Sequence, residues 1–301
     1  MFIINHKKVF IGISALFVAV SIVFIAMFGL KLGIEFKGGS ELSFKYDDAR
    51  PQSALIKSTL ESNGYEDSLV QPVGEKDVQI KTKELDEAGR AKLVSVLTID
   101  GKFPGAQESF TNIGPSVGRE LRNKAILSII LVLIAIICFV AYAFRKVSEP
   151  VSSWKYGIAV IIALAHDVII PTGVFALLGH LMGAEVDTLF IVALLTTLAL
   201  SIADTIVVFD RVREHITLER GRKAFNLLVG DSLSQTYVRS INTSLMVLVM
   251  VVSLAVFGPE STKLFATILA IGMFFGTYSS IFLASPLLVV MEQAQGKKKK
   301  K

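Results

Sequence analysis

Ionisable side chains lie inside segments of this chain that are otherwise apolar. They are Asp204, Asp167 with His166 beside it, and Arg239, which directly precedes an apolar run. An ionised side chain in hydrocarbon costs at least about 2.5 kcal/mol, so such groups normally face a partner or a water-filled pathway. The chemistry that these residue types allow is a proton relay within a membrane.

Helical spacing groups further polar residues with these charges. Residues three, four and seven positions apart lie on one face of a helix. One such face contains Thr197, Ser201 and Asp204. The same rule groups Arg239, Asn242 and Thr243 on the next segment. The four ionisable groups predict a titratable ladder across the cytoplasmic half of the bundle to its middle, and the hydroxyl and amide side chains form a supporting polar face.

Two hypotheses account for Asp204 and Arg239. Helical rise places Asp204 roughly 10 Å inside Arg211, within reach of the long Arg239 side chain. Desolvation favours the protonated form of an acid and a nearby arginine favours the ionised form, so separating the two side chains would load or release a proton. The alternative is a permanent ion pair that fixes the helix register and never titrates.

Asp167 is predicted to lie deeper in the membrane than Asp204. The same rise places it about 18 Å in from Lys155. Asp167 is either part of the proton relay or a structural residue that forms a permanent hydrogen bond to a neighbouring helix. Consecutive helical residues point about 100° apart, so only one of His166 and Asp167 is expected to face a given partner.

The elements that must position these groups are membrane helices. The chain has 301 residues, of which 52% are hydrophobic and 19% charged, and its mean hydropathy is +0.60. A soluble protein is near a quarter charged, and a membrane span needs about 20 apolar residues. Six segments qualify: 9–30, 125–144, 156–182, 188–209, 240–258 and 264–291. A cleaved signal peptide is the alternative for the first, but its apolar stretch is too long and lacks a typical cleavage site.

The distribution of basic residues predicts the orientation. Sixteen Lys and Arg residues fall on the side of both termini, including five lysines at the end of the chain, whereas the opposite short loops contain only Lys263. Short cytoplasmic loops are the basic ones. We therefore expect both termini in the cytoplasm. The mixed loop 212–238 is expected to lie as an interfacial helix.

Residues 31–123 have a soluble composition, with 13 basic and 15 acidic residues. Strands are predicted at 41–46, 68–72, 77–81 and 107–113, and helices at 51–62 and 85–97. A β-α-β-β-α-β order is the ferredoxin-like arrangement. The predicted fold is thus a polytopic α-helical membrane protein with an α+β ferredoxin-like extracytoplasmic domain between its first two spans. Its predicted regions are 1–30, 31–123, 124–291 and a basic tail, 292–301.

Several functions are excluded by absent motifs. The sequence contains no G-x-x-x-x-G-K-[ST] for ATP hydrolysis and no H-E-x-x-H for a protease zinc. The single cysteine, Cys138, permits neither an intrachain disulfide nor a thiolate metal cluster. We expect no enzyme, no metal, no cofactor and no nucleic-acid partner. Gly272 and Gly276 form a G-x-x-x-G, which predicts close helix packing.

Several longer motifs resemble a known family. They are GIEFKGGS (33–40), VGREL (117–121), AHDVIIPTG (165–173), SIADTIVVFDRVRE (201–214), RSINTS (239–244) and GTYSSIFLASPLL (276–288). In this order, over nearly the whole chain, they resemble the SecF family of the bacterial Sec translocon, within the resistance-nodulation-division superfamily. Two positions depart from the family pattern: Ala203 replaces an asparagine beside Asp204, and Glu35 replaces an aspartate.

The resemblance implies a multi-pass protein of the bacterial cytoplasmic membrane. It implies SecD, the SecYEG channel and the translocating polypeptide as partners, and a proton or sodium gradient as the energy source for export. It also implies that Asp204 and Arg239 are the membrane charges of the coupling mechanism. Two alternatives stay open. One is a passive scaffold that docks partners. The other is one half of a small-molecule exporter, but the outer domain is too small to provide the large substrate cavity of such exporters.

Overall fold

The chain folds into long apolar helices and one small sheet. The structure, a computed structural model, describes residues 2–145, 153–219 and 222–299. Its helices are α1 (Phe2–Asn5), α2 (Lys7–Phe28), α3 (Ile34–Lys37), α4 (Ser53–Ser62), α5 (Glu87–Leu97), α6 (Pro115–Ala143), α7 (Ser153–Met182), α8 (Thr188–Glu219), α9 (Phe225–Phe257), α10 (Glu260–Ser279) and α11 (Ser285–Lys299). A π-helical turn, Ser280–Ala284, joins α10 to α11. The strands are β1 (Gly39–Tyr46), β2 (Leu69–Val73), β3 (Asp77–Thr82) and β4 (Gly105–Ile113).

Six helical stretches in the described residues are long and apolar enough to cross a membrane. They are α2, α6, α7, α8, α9 and the run formed by α10, the π-turn and α11. This confirms the six predicted segments. The interfacial helix predicted for 212–238 is wrong, because α8 continues to Glu219 and α9 already begins at Phe225. Arg220 and Gly221, at the centre of that loop, lie outside the described residues.

The extensions of α8 and α9 are stabilised by burial of their apolar side chains. Val212 on α8 and Val229 on α9 are fully buried, and both belong to the same hydrophobic core as Phe144, Tyr156 and Phe209. The rings of Phe144 and Tyr156 stack with centroids 5.2 Å apart. The helices therefore continue past the apolar segments because their inner faces remain hydrophobic.

The described residues form two compact units. The membrane unit contains Met1–Lys31, Ser128–Ala184 and Leu189–Lys301. Within it, α7 and the α10–α11 run are the most buried spans, with more than half of their apolar windows inside the bundle. The soluble unit contains Leu32–Leu127 and the short segment Glu185–Thr188.

The soluble unit is built on a four-stranded antiparallel sheet with the strand order β2-β3-β1-β4. Alternate residues of β1, namely Leu42, Phe44 and Tyr46, are almost completely buried, as the two-residue period of a strand requires. They pack with α4 and α5 in one core. The side chain of Asp86 caps α5 by accepting a hydrogen bond from the Gly89 amide at 2.7 Å.

Candidate functional site

The carboxylate of Asp167 is completely buried in the membrane unit and has several hydrogen-bond donors. Asp167 lies on α7 and is 0% exposed. The Ser279 hydroxyl donates to its Oδ2 at 2.8 Å, and the Ser201 hydroxyl donates to the same oxygen. His166 Nδ1 lies 2.9 Å from Oδ1. Three helices, α7, α8 and α10, therefore meet at one carboxylate.

A second pair of hydroxyls continues this arrangement along α8. Thr205 Oγ1 and Ser280 Oγ lie 2.8 Å apart, and Ser280 Oγ lies 3.3 Å from the carbonyl oxygen of Ser201. All three side chains are buried. We call His166, Asp167, Ser201, Thr205, Ser279 and Ser280 the Asp167 cluster.

The π-turn helps to place two adjacent serines of the Asp167 cluster against α8. A π-helix has a wider turn than an α-helix, and such turns are frequent at functional sites. Here the turn begins at Ser280, whose carbonyl oxygen accepts a hydrogen bond from Ser285 Oγ at 3.2 Å. Ser279 bonds to Asp167, whereas Ser280 bonds to Thr205. The wider turn therefore begins where two consecutive serines, Ser279 and Ser280, bond to different partners.

His166 lies beside Asp167 and also makes an aromatic contact. Its ring packs against that of Tyr278, with ring centroids 6.1 Å apart and planes 17° from parallel. Its Nδ1 faces the neighbouring carboxylate. Its Nε2 is buried and has no hydrogen-bond partner among the described residues.

Asp204 lies apart from the Asp167 cluster. It is half-buried on α8 and accepts a hydrogen bond from Ser244 Oγ at 3.1 Å. Arg239 is exposed, and no nitrogen–oxygen distance of 4.0 Å or less joins it to Asp204 in the described part of the chain. Asn242 and Thr243 are exposed on the same helix.

The structure therefore divides the predicted polar face of α8. Ser201 donates a hydrogen bond to Asp167, and Asp204 accepts one from Ser244. Thr197 packs closely against Gly272, and its buried hydroxyl has no hydrogen-bond partner in the part of the chain that the structure describes. The sequence interpretation did not assign Thr205, Ser244, Ser279 or Ser280 to this site. The first was detectable, because Ser201 and Thr205 are four residues apart on the predicted helix. The others needed knowledge of which helices are neighbours.

The Asp167 cluster is suited to proton exchange. A carboxylate, an imidazole and hydroxyl groups each accept a proton or exchange donor and acceptor roles. No group of three or more His, Cys, Asp or Glu side chains that could hold a metal ion is found among the described residues. The fold and this site define a polytopic membrane protein with ionisable groups inside its helix bundle.

Comparison with known proteins identifies the family. Residues 99–294 match the family described as "Protein export membrane protein SecD/SecF, C-terminal", and residues 23–49 match the "SecD/SecF GG Motif". Protein translocase subunit SecF of Thermobaculum terrenum is 40% identical over 96% of this chain and 93% of that protein. The chain therefore belongs to the SecD/SecF family of protein-export membrane proteins.

Two longer relatives match over nearly the whole chain. Protein translocase subunit SecDF of Bacillus subtilis is 33% identical over 98% of this chain. The crystal structure of SecDF from Thermus thermophilus, described as a translocon-associated membrane protein, is 28% identical over 96% of the chain, with a TM-score of 0.85. This chain spans 38% of the length of each of these two proteins.

Proposed function

We propose that this chain is an accessory subunit of the Sec protein translocase. Together with SecD, it uses the proton or sodium gradient to promote late export of polypeptides across the cytoplasmic membrane. Membership of a protein-export family supports the export role. The ion-coupling role rests on the carboxylates within the membrane helices.

The observation that carries the ion-coupling proposal is the geometry of Asp204. A permanent ion pair would hold the Asp204 and Arg239 side chains in contact, but Asp204 bonds to Ser244 and Arg239 is exposed. A relay needs two states, one with the charges paired and one with them apart. The absence of a salt bridge between these two side chains among the described residues supports a relay over an inert pair.

The Asp167 cluster supports a second step of the same relay. Hydroxyl groups accept one hydrogen bond while donating another, and the hydroxyls of Ser201 and Ser279 both contact the Asp167 carboxylate. A proton that leaves Asp167 therefore has two hydroxyl groups beside it, while Ser280 and Thr205 bond to each other against the carbonyl oxygen of Ser201. In this proposal, Asp167 and Asp204 are the ionisable positions, and His166 adjusts the charge beside Asp167.

The exposed polar face of α9 supports a membrane partner. Arg239, Asn242 and Thr243 are exposed in this chain, and a charge facing lipid is costly. A second polytopic subunit with a complementary polar face would cover them. The fused SecDF relatives support SecD as that subunit, and SecYEG and the emerging polypeptide are the further proposed partners.

We also infer the arrangement of the chain in the membrane. Residues 31–123 form the extracytoplasmic domain, and residues 1–30, 124–291 and 292–301 form the first span, the remaining bundle and a cytoplasmic tail. The asymmetry of Lys and Arg supports cytoplasmic termini. The strand order β2-β3-β1-β4, with two helices on one core, supports assignment of the domain to the ferredoxin-like class.

A passive scaffold is the second candidate function. The observation that favours it is the complete hydrogen bonding of Asp167, which also suits a permanent structural anchor. A scaffold does not require Asp204 or Asp167 to change protonation. The two candidates therefore differ in their response to neutral isosteres of these acids.

The test is export of a secreted reporter in cells depleted of their own copy of the subunit. Asp204→Asn and Arg239→Ala are expressed at membrane levels equal to wild type. We expect both variants to lose export, because neither can complete the cycle of pairing and separation. The matched control is Asp210→Asn, whose exposed carboxylate pairs with Arg213 three residues away; it should export normally. Full export by Asp204→Asn would exclude the relay and leave the scaffold.

A further inference from the structure

A short segment between two membrane helices belongs structurally to the soluble unit. Residues Glu185–Thr188 join α7 to α8, and the chain on either side of them belongs to the membrane unit. Helix α7 contains Asp167, and α8 contains Ser201 and Asp204. Contacts made by this segment therefore restrain the connection between the helix that contains Asp167 and the helix that contains Asp204.

Backbone contacts hold the segment within the soluble unit. The Gly33 amide donates to the carbonyl oxygen of Val186 at 2.8 Å, and Leu32 and Val186 form a parallel β-bridge. The approach is close, because a Cβ at Gly33 would lie 3.0 Å from that same carbonyl oxygen. The Val186 side chain is 5% exposed. The segment is thus paired and packed, unlike a loop that only passes over a surface.

Glu185 forms salt bridges with two lysines. Its Oε2 lies 3.2 Å from Lys81 Nζ, and its Oε1 lies 3.5 Å from Lys37 Nζ. The Glu185 side chain is only 8% exposed and that of Lys81 17% exposed. Exposed ion pairs are typically worth little because water screens them, but these two groups are largely shielded from water. Removing Lys81 would leave the buried Glu185 carboxylate with Lys37 alone, and removing Glu185 would leave Lys81 with Glu41, 3.8 Å away.

A carboxylate also meets the first residue of α8. Glu35 Oε2 accepts a hydrogen bond from the Thr188 amide at 2.5 Å. The first amides of a helix have no partner within the helix, and negative charge is favoured at that end. Glu35 therefore fixes the start of α8 through a residue of the soluble unit.

We propose that Glu35, Lys37 and Lys81, with the segment Glu185–Thr188, form a coupling joint. The joint makes the α7–α8 connection move with the soluble unit, so that a displacement of that unit acts on the helices that contain Asp167 and Asp204. This inference rests on the proposed ion-coupled function and assigns Glu185, Lys81 and Glu35 as positioning residues for it. None of them touches the transported ion.

The first test replaces the ion pair by a covalent link. In the full chain with Cys138→Ser, expressed with SecD in depleted cells, Lys81→Cys and Glu185→Cys are combined and treated with a short bismaleimide. We expect export to fall at least about fivefold without the linker, the lower end of coupling between distant sites, and to recover when the linker joins the two cysteines. Lys81→Gln and Glu185→Gln should show the same loss at normal membrane levels.

The matched control is Lys83→Gln, two residues after Lys81 in the sequence. Lys83 pairs with Asp67 at 2.6 Å, but these side chains are 82% and 70% exposed, so export should stay at the wild-type level. A linked double-cysteine variant whose export stays low, or Glu185→Gln with full export, would overturn the joint.

The second test has a readout other than export. Amide hydrogen exchange of the full chain in detergent is followed in peptides that cover residues 183–190. Glu35→Ala should accelerate exchange there, and unchanged exchange would refute its role at the start of α8. Failure of the proposed function is seen separately, as full export by Asp204→Asn, because we expect that variant to leave the exchange of residues 183–190 unaltered.

Discussion

At the scale of single residues, the two buried acids are in different environments. Asp167 is enclosed and receives hydrogen bonds from side chains on three helices, whereas Asp204 is half-buried and receives one from Ser244. A buried acceptor that loses a donor bears the cost of its desolvation. The hydroxyls around Asp167 are therefore as important to the site as the carboxylate itself.

Ser279→Ala should destabilise the membrane unit. The substitution removes one of the two hydroxyl donors to Asp167 Oδ2, and an intramolecular hydrogen bond contributes about 0.5–1.5 kcal/mol to stability. We expect a lower melting temperature in detergent, measured by thermal unfolding. The control is Ser253→Ala, because that exposed hydroxyl bonds only to the carbonyl oxygen of Val249 on its own helix. Equal melting temperatures for both variants would contradict the prediction.

At the scale of elements, the close approach of α8 and α10 creates the site. The predicted G-x-x-x-G contact has a definite partner: Gly272 faces Thr197, and a Cβ at Gly276 would lie 3.0 Å from the Cβ of Ser201. Small residues let two helix backbones approach closely. The same approach brings Ser279 of α10 and Ser201 of α8 to one carboxylate.

Gly272→Ala should separate these helices and reduce both stability and export. The added methyl group would overlap with the Thr197 side chain, and overpacking typically costs about 1–3 kcal/mol. The control is Gly12→Ala on α2, where nothing lies within 4 Å of the new Cβ and alanine favours the helix. Adding Thr197→Ala to Gly272→Ala should restore stability, as measured by thermal unfolding, and no recovery would exclude this contact as the cause.

At the scale of the whole molecule, charge asymmetry supports the topology that we propose. The short loops predicted to lie on the same side of the membrane as both termini are rich in Lys and Arg. The short loops on the other side contain Lys263 as their single Lys or Arg residue. The positive-inside rule depends on such short loops. The proposed export function requires the soluble unit on the outer side of the membrane.

Cysteine labelling of intact spheroplasts tests this topology. In a Cys138→Ser background, Ser62→Cys on α4 should react with a membrane-impermeant maleimide from outside. Ser234→Cys, on the part of α9 that we propose to be cytoplasmic, should react only after permeabilisation. Both serines are exposed in the structure, so access to the reagent and not burial decides the result. Labelling of Ser234→Cys in intact spheroplasts would refute the proposed orientation.

The sequence by itself determined the elements of this protein. Hydrophobic length marks a membrane helix locally, so all six spans were predictable, and the ends of the four strands and of α4 and α5 differ from prediction by no more than two residues. The long helical extensions beyond 209 and before 240 were not predicted. Their inner faces become buried only when other helices pack on them, as Val212 and Val229 do.

Only the tertiary structure decided which polar groups meet. Asp167 bonds to residues 34 and 112 positions away, and no local pattern specifies such a pairing. It depends on the rotation of α7, on the close approach of α8 to α10 and on the π-turn that begins at Ser280. The sequence identified the ionisable groups by the cost of placing charge in hydrocarbon. Helix packing selected their partners, because a hydrogen bond forms only when side chains from different helices come within about 3 Å of each other.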